Sequence, residues 1–87
     1  MCIESRLLFA FAYMYHEGKY TEARLYIAEM QPCGGWRARV FAAKAARAMG
    51  QRNLAENEVR TIRAENPQSD KNIELFWERI KAQEYFF

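Results

Sequence analysis

The chain has 87 residues, of which 51% are hydrophobic and 15% aromatic, so its composition is globular and excludes an intrinsically disordered protein. We predict a single domain over residues 1–87. The formal net charge is only +2, which by itself gives no indication of nucleic-acid binding. The longest apolar run, residues 7–15, is far shorter than the ~20 residues that a membrane span needs, so no membrane association is predicted.

The first predicted helix, residues 3–17, is apolar on nearly all sides, which is typical of a helix that its neighbours cover completely. Gly18 follows it and is expected to end it, because glycine accepts the left-handed C-cap conformation with positive φ. Thr21 is expected to cap the second helix, residues 21–30. The turn between the two helices therefore predicts a helical hairpin.

A break at residues 32–35 (Pro-Cys-Gly-Gly) separates the second helix from a third at residues 36–49. The third helix is rich in alanine, which lets neighbouring helices approach closely. The fourth helix, residues 53–65, ends before Pro67, since the residue before a proline avoids the helical conformation. A fifth helix, at residues 70–84, carries apolar residues at i, i+3, i+4 and i+7 spacing. Together the five helices predict an all-α fold.

Residues in and after the first turn recur in and after the turn that follows the third helix, at a constant offset of 32 positions. A constant offset over several positions is the mark of a structural repeat. The pairs are Gly18 and Gly50, Ala23 and Ala55, and Ile27 and Val59.

The repeat also predicts which helix faces are covered. One face of the third helix, made of Ala38, Phe41 and Ala45, is expected to pack on the second helix. The same offset maps this face onto the first helix, where no earlier helix of this sequence covers it. We therefore predict that another chain covers it, with residues 85–87 (Tyr-Phe-Phe) as the intramolecular alternative. The predicted partner interface consists of Arg6, Phe9 and Tyr13.

The turn at residues 18–23, Gly-Lys-Tyr-Thr-Glu-Ala, resembles the Gly-x-Tyr-x-x-Ala turn of tetratricopeptide repeats. A small residue midway along the third helix, Ala43, and the closing Pro67 are also similar to that family. The resemblance covers residues 3–67 and implies about two stacked antiparallel helical hairpins, followed by a C-terminal helix. It also implies a concave surface that binds a segment of another protein.

More narrowly, the chain resembles the tetratricopeptide-like member of the chaperones for type III secretion needle subunits. The similar features are the hairpin, a loop that ends at Trp36, a small-residue helix that ends near Gly50, and the helix at residues 73–83. This resemblance implies a bacterial cytoplasmic protein of virulence-associated protein transport. Together with a small helical co-chaperone, it would hold the needle subunit and prevent its premature polymerisation.

In such a stack the inner helices, here the first and third, line the concave groove. An apolar groove with basic residues suits an amphipathic helical client that carries some acidic side chains. The alternative is that the basic residues form an ordinary solvated face. The predicted client groove consists of Leu8, Ala12, Tyr15, Arg37, Val40, Lys44 and Arg47.

Other function classes find less support in the residues. His16 is the single histidine, and no nucleophile or cofactor motif accompanies it, so no catalytic residue, metal or cofactor is predicted. Basic residues between positions 36 and 66 lie on opposite helix faces with few aromatics between them, which argues against RNA. The predicted partners are a helical client with a co-chaperone, or a second copy of the chain. A general scaffold or adaptor, and after it an RNA-binding helical module, are the alternatives.

Overall fold

Helices account for nearly all of the residues that the computed structural model describes, which are residues 4–83, with side chains for residues 6–29 and 35–83. No strand occurs among the described residues, so the all-α prediction is confirmed. In chain order the elements are α1 (Glu4–His16), α2 (Tyr20–Ala48), α3 (Arg52–Glu65), a 3-10 turn (Pro67–Ser69) and α4 (Asp70–Ala82). None of these helices combines the length and the apolar character that crossing a membrane requires.

Helix α2 joins the second and third predicted helices into one bent element. Its backbone leaves the helical conformation only at Gly35, where φ is 62° and ψ is −154°. The break predicted within residues 32–35 is therefore confirmed, and its non-helical backbone is confined to Gly35. Glycine suffices for it because it adopts positive φ without steric cost. We call residues 20–34 the first arm of α2 and residues 36–48 its second arm.

Two turns of the same construction connect α1 to α2 and α2 to α3. In the first turn, the amides of Gly18 and of the next residue donate to the carbonyls of Tyr15 and Met14, at 3.0 and 2.9 Å. The turn around Gly50 repeats both hydrogen bonds. The two glycines have φ of 79° and 86°, so the prediction that Gly18 ends the first helix with positive φ is confirmed.

Helix α2 begins one residue earlier than predicted, so Thr21 is not its cap. The carbonyl of Lys19 accepts a hydrogen bond from the amide of Ala23 at 3.0 Å, which starts the helix without a side-chain cap. The Thr21 hydroxyl instead donates to the sulfur of Met49, at 3.8 Å, and so links the two turns.

The second arm of α2 is the central helix of the fold. On one side its Ala38 and Ala45 are buried in a cluster with residues of α1 and the first arm. That cluster includes Ala23 and Ile27, as the repeat predicts. On the other side a second cluster joins the second arm to α3 and α4. Its buried members are Val40, Ala43, Ala46, Ala55, Val59, Ile62, Ile73 and Trp77.

A line of aromatic rings connects α1, α2 and α4. The ring centres of Phe11 and Phe41 are 5.8 Å apart, and those of Phe41 and Phe76 are 5.6 Å apart. Phe76 also meets Trp36 edge to face at 5.5 Å. Tilted and edge-to-face pairs at these distances are favourable arrangements of aromatic rings. Phe76 therefore helps to hold α4 against the second arm.

Replacing Gly18 by valine is expected to lower the free energy of unfolding by about 1–2 kcal/mol, because a β-branched residue is strained at positive φ. The strain arises in the backbone alone, since a Cβ at Gly18 would meet no atom within 4 Å. Gly18→Asn is the matched control, because asparagine tolerates this conformation, and it should lose clearly less stability. Urea unfolding followed by circular dichroism measures both variants. A valine variant as stable as the parent contradicts the assignment of Gly18.

Candidate functional site

The outer face of α1, defined by Arg6, Phe9 and Tyr13, is open to solvent. Phe9 is 61% exposed and Tyr13 is 65% exposed, although both are large side chains with apolar rings. Arg6, one turn earlier, is also exposed. At the equivalent positions of the second arm, Ala38 and Ala45 are 1% and 0% exposed. The structure thus places the predicted partner interface at the surface.

The predicted client groove is only partly accessible, because α4 covers part of it. Val40 is fully buried and Lys44 is 4% exposed, and Ala12 is buried as well. The prediction that these three residues line an open groove is therefore wrong. Helical periodicity marked all three as inward-facing but did not show that α4 packs over Val40 and Lys44 on the second arm. Of the other members, Leu8, Tyr15 and Arg47 are half-buried, and Arg37 is exposed with its guanidinium 4.4 Å from the ring centre of Trp36.

Lys44 ties the end of α4 to the second arm. Its ammonium donates hydrogen bonds to the backbone carbonyls of Ile80, at 2.6 Å, and Gln83, at 2.8 Å. The same nitrogen lies 5.5 Å from the ring centre of Tyr15. The last carbonyls of a helix have no partner within the helix and carry the negative end of its dipole. Lys44 therefore stabilises α4 at the end where its carbonyls need donors.

Around Lys44 the ends of the helices enclose a cleft of about 380 Å³, which we call the basic cleft. In the described part of the chain, α1 and α4 both pack on α2, and no Cα atom of α1 lies within 8 Å of one of α4, so their backbones are separated there. Among the lining residues that the structure describes, four have cationic side chains and none has a carboxylate. The lining residues are Tyr15, Lys44, Arg47, Ala48, Arg52, Lys81 and Gln83.

The cations of the basic cleft differ in how far they are neutralised. Lys81 pairs with Glu56 at 3.3 Å and with Glu78 at 3.1 Å. Neither Arg47 nor Arg52 forms an ion pair with any residue that the structure describes. Two guanidinium groups therefore face the cleft with their charge uncompensated by the described carboxylates.

The electrostatics of the basic cleft already reflect this concentration of positive charge. Burial lowers the pKa of the Lys44 ammonium, and the nearby Arg47 lowers it further. Burial and the neighbouring Tyr20 raise the pKa of the Tyr15 hydroxyl, although Arg47 opposes that shift. Tyr15 is consequently a neutral hydroxyl at neutral pH, able to donate a hydrogen bond to an anion.

Elsewhere on the described surface, several arginines are paired with carboxylates. These pairs are partly exposed, so each contributes little to stability, but each removes an uncompensated cation from the surface. Part of the basic surplus of the middle of the chain, at Arg39 and Arg63, is therefore neutralised locally. The pairs are Arg24 with Glu58, Arg39 with Glu65, and Arg63 with Asp70.

The sequence predicts part of the basic cleft and misses the rest. Tyr15, Lys44 and Arg47 are predicted as neighbours in one groove, and the structure brings them together. Arg52 could have been predicted from the repeat, because it takes the position that Tyr20 has in the first turn. Lys81 could not have been predicted, since its position depends on how α4 packs.

Comparison with protein-family models, with curated proteins and with solved structures finds no match for this chain. The resemblance to tetratricopeptide repeats is therefore carried by the residues alone, in the turn at residues 18–23 and its recurrence at residues 50–55. Within residues 6–29 and 35–83, no group of three His, Cys, Asp or Glu side chains lies close enough to hold a metal ion.

Replacing Lys44 by methionine is expected to loosen the last turn of α4, because the carbonyls of Ile80 and Gln83 lose their charged donor. Hydrogen exchange of the amides at residues 80–83 should accelerate at least tenfold, while exchange in α3 changes little. Lys71→Met is the matched control, since Lys71 is an exposed lysine at the other end of α4. Unchanged exchange in Lys44→Met shows that other contacts hold this end of the helix.

The lowered pKa of Lys44 also gives stability a pH dependence of definite sign. Between the native pKa and the ordinary value of 10.5, the unfolded chain binds more protons than the native chain, so this group makes the free energy of unfolding rise with pH. The parent should therefore gain stability relative to Lys44→Met as the pH rises from 7 toward 10. Urea unfolding of both proteins at each pH measures the difference. A difference that stays constant or shrinks contradicts the lowered pKa.

Proposed function

We propose that this protein is a non-catalytic helical binding module that covers an apolar helix of another protein. The observation that carries the proposal is the exposure of Phe9 and Tyr13 on the outer face of α1. The equivalent face of the second arm is covered by the first arm, through Ala23 and Ile27. A helix from a partner would cover α1 in the way that the first arm covers the second arm.

The outer face of α1 has the chemistry of an interface centre. Burying a large side chain such as Phe9 or Tyr13 contributes about 1.5–3 kcal/mol, which is a large share of the stability of a small domain. Aromatic and arginine side chains are enriched among the residues that dominate binding energy. The outer face of α1 has both kinds, since Arg6 lies beside the two aromatic residues. A single helix with an apolar stripe is long enough to cover all three positions, which span two turns of α1.

The resemblance to needle-subunit chaperones supports a specific version of this function. In that version the partner on α1 is a small helical co-chaperone, and the pair acts in the bacterial cytoplasm. The pair occludes the assembly helix of a type III needle subunit, so that polymerisation cannot begin. A second copy of this chain is the other partner that the face admits. Residues 85–87, the intramolecular alternative, lie outside the described residues.

The double variant Phe9→Glu, Tyr13→Glu is expected to abolish association, because two carboxylates would have to be desolvated in the interface. The parent should sediment at micromolar concentration as a species larger than the monomer, and the variant as a monomer of unchanged helicity. The matched control is Leu25→Glu, Leu75→Glu, since both leucines are 62% exposed on other helices, and it should behave like the parent. A parent that sediments as a well-folded monomer contradicts self-association and leaves the co-chaperone to the next experiment.

The chaperone version is tested by co-expressing the chain with a type III needle subunit and its small helical co-chaperone. A complex with one copy of each chain, lost in the Phe9→Glu, Tyr13→Glu variant and kept in the control, supports it. A monomeric parent that also fails to form this complex overturns the proposed function.

A further inference from the structure

We infer that the basic cleft binds a pair of carboxylates carried by an acidic segment of a partner protein, as the proposed function implies a protein partner. The cleft gathers side chains from the ends of all four helices into about 380 Å³, a size typical of binding pockets. Arg47 and Arg52 line it and form no ion pair with the described residues. Tyr15 lines the cleft beside them.

Two guanidinium groups in one concave site match two carboxylates. Each guanidinium presents a planar pair of N–H donors, which fits the two oxygens of a carboxylate. Lys44 holds the wall of the site in place, since its ammonium is bound to the carbonyls of Ile80 and Gln83. The wall that the end of α4 contributes is therefore in place before the ligand arrives, which lowers the entropic cost of binding.

The surroundings of the basic cleft favour an acidic protein segment over a nucleic acid. Glu56 and Glu78 lie within 3.3 Å of Lys81, at the edge of the site, and would repel a phosphate backbone that continued past it. A nucleic acid needs a stripe of cations along its backbone, whereas three arginines elsewhere on the described surface, Arg24, Arg39 and Arg63, are paired with carboxylates. A segment with two acidic side chains needs only the cleft itself.

The test uses a tri-glutamate peptide titrated into the isotopically labelled full chain at low ionic strength, with inorganic phosphate and a short single-stranded oligonucleotide as parallel probes. The peptide should shift the resonances of Tyr15, Arg47 and Arg52 with one dissociation constant. The double variant Arg47→Gln, Arg52→Gln should weaken peptide binding at least tenfold. Saturation by the peptide at the cleft, tighter than by either other probe, supports the inference.

The matched control is Arg37→Gln, Arg79→Gln, which removes the same charge from exposed arginines outside the cleft and should change the affinity less than twofold. Equal weakening in both double variants would reveal unspecific attraction by net charge and overturn the inference. Tighter binding of phosphate, or of the oligonucleotide, would overturn it too, because the ligand would then be a free oxyanion or a nucleic acid.

Competition from a carboxylate of the chain itself is tested with Glu84→Gln, since Glu84 follows the lining residue Gln83 in the sequence. Peptide affinity should stay within twofold of the parent, whereas a tenfold gain would show that this side chain already competes for the site and would overturn the inference. The Phe9→Glu, Tyr13→Glu variant separates the two proposals. It should still bind the peptide with parental affinity, so loss of partner binding and loss of peptide binding are independent results.

Discussion

The structure depends on close approach of helices on both sides of the second arm of α2. Ala38 and Ala45 lie on one face of this helix, and Ala43 and Ala46 lie on another, all fully or almost fully buried. Because an alanine adds only a methyl group, neighbouring helices can pack against both faces with dense cores between them. Larger side chains at these positions would force the two clusters apart, and with them the helix ends that enclose the basic cleft.

The position of α4 decides which parts of the inner surface a partner can reach. Trp77 and Ile73 share a cluster with Val40, so α4 buries the middle of the groove that an open helical stack would present. What remains is the gap between the ends of α1 and α4, which the second arm closes from below. The described surface therefore has a compact cleft at this place instead of a long open groove.

Helix α1 contributes to both candidate surfaces with different faces. Its outer face carries the exposed rings of Phe9 and Tyr13, and its last turns bring Tyr15 to the basic cleft. The first surface carries exposed aromatic rings, whereas the second carries cations without a described carboxylate partner. A partner that contacts both would be oriented along α1, because the two surfaces recognise different chemistry.

The sequence by itself determined the helices, the two turns and the small faces of the second arm. These features follow from local preferences: Gly18 and Gly50 end helices because glycine tolerates positive φ without strain, and apolar spacing marks the buried faces. The exposed face of α1 was also predictable. The repeat offset maps it onto the face of the second arm that is covered by the first arm, and α1 itself has no equivalent of the first arm among the described residues.

Only the tertiary structure decided that the break at Gly35 is a kink, that α4 covers Val40, and that Lys81 reaches the cleft. Lys44 and Arg47 show the physical reason. They lie one turn apart with the same charge, and helical spacing predicts that both face inward. One is buried against the carbonyls at the end of α4, and the other faces the cleft. Periodicity in the sequence predicts which face of a helix points inward. Which other helix packs on that face is set by contacts between residues distant in sequence.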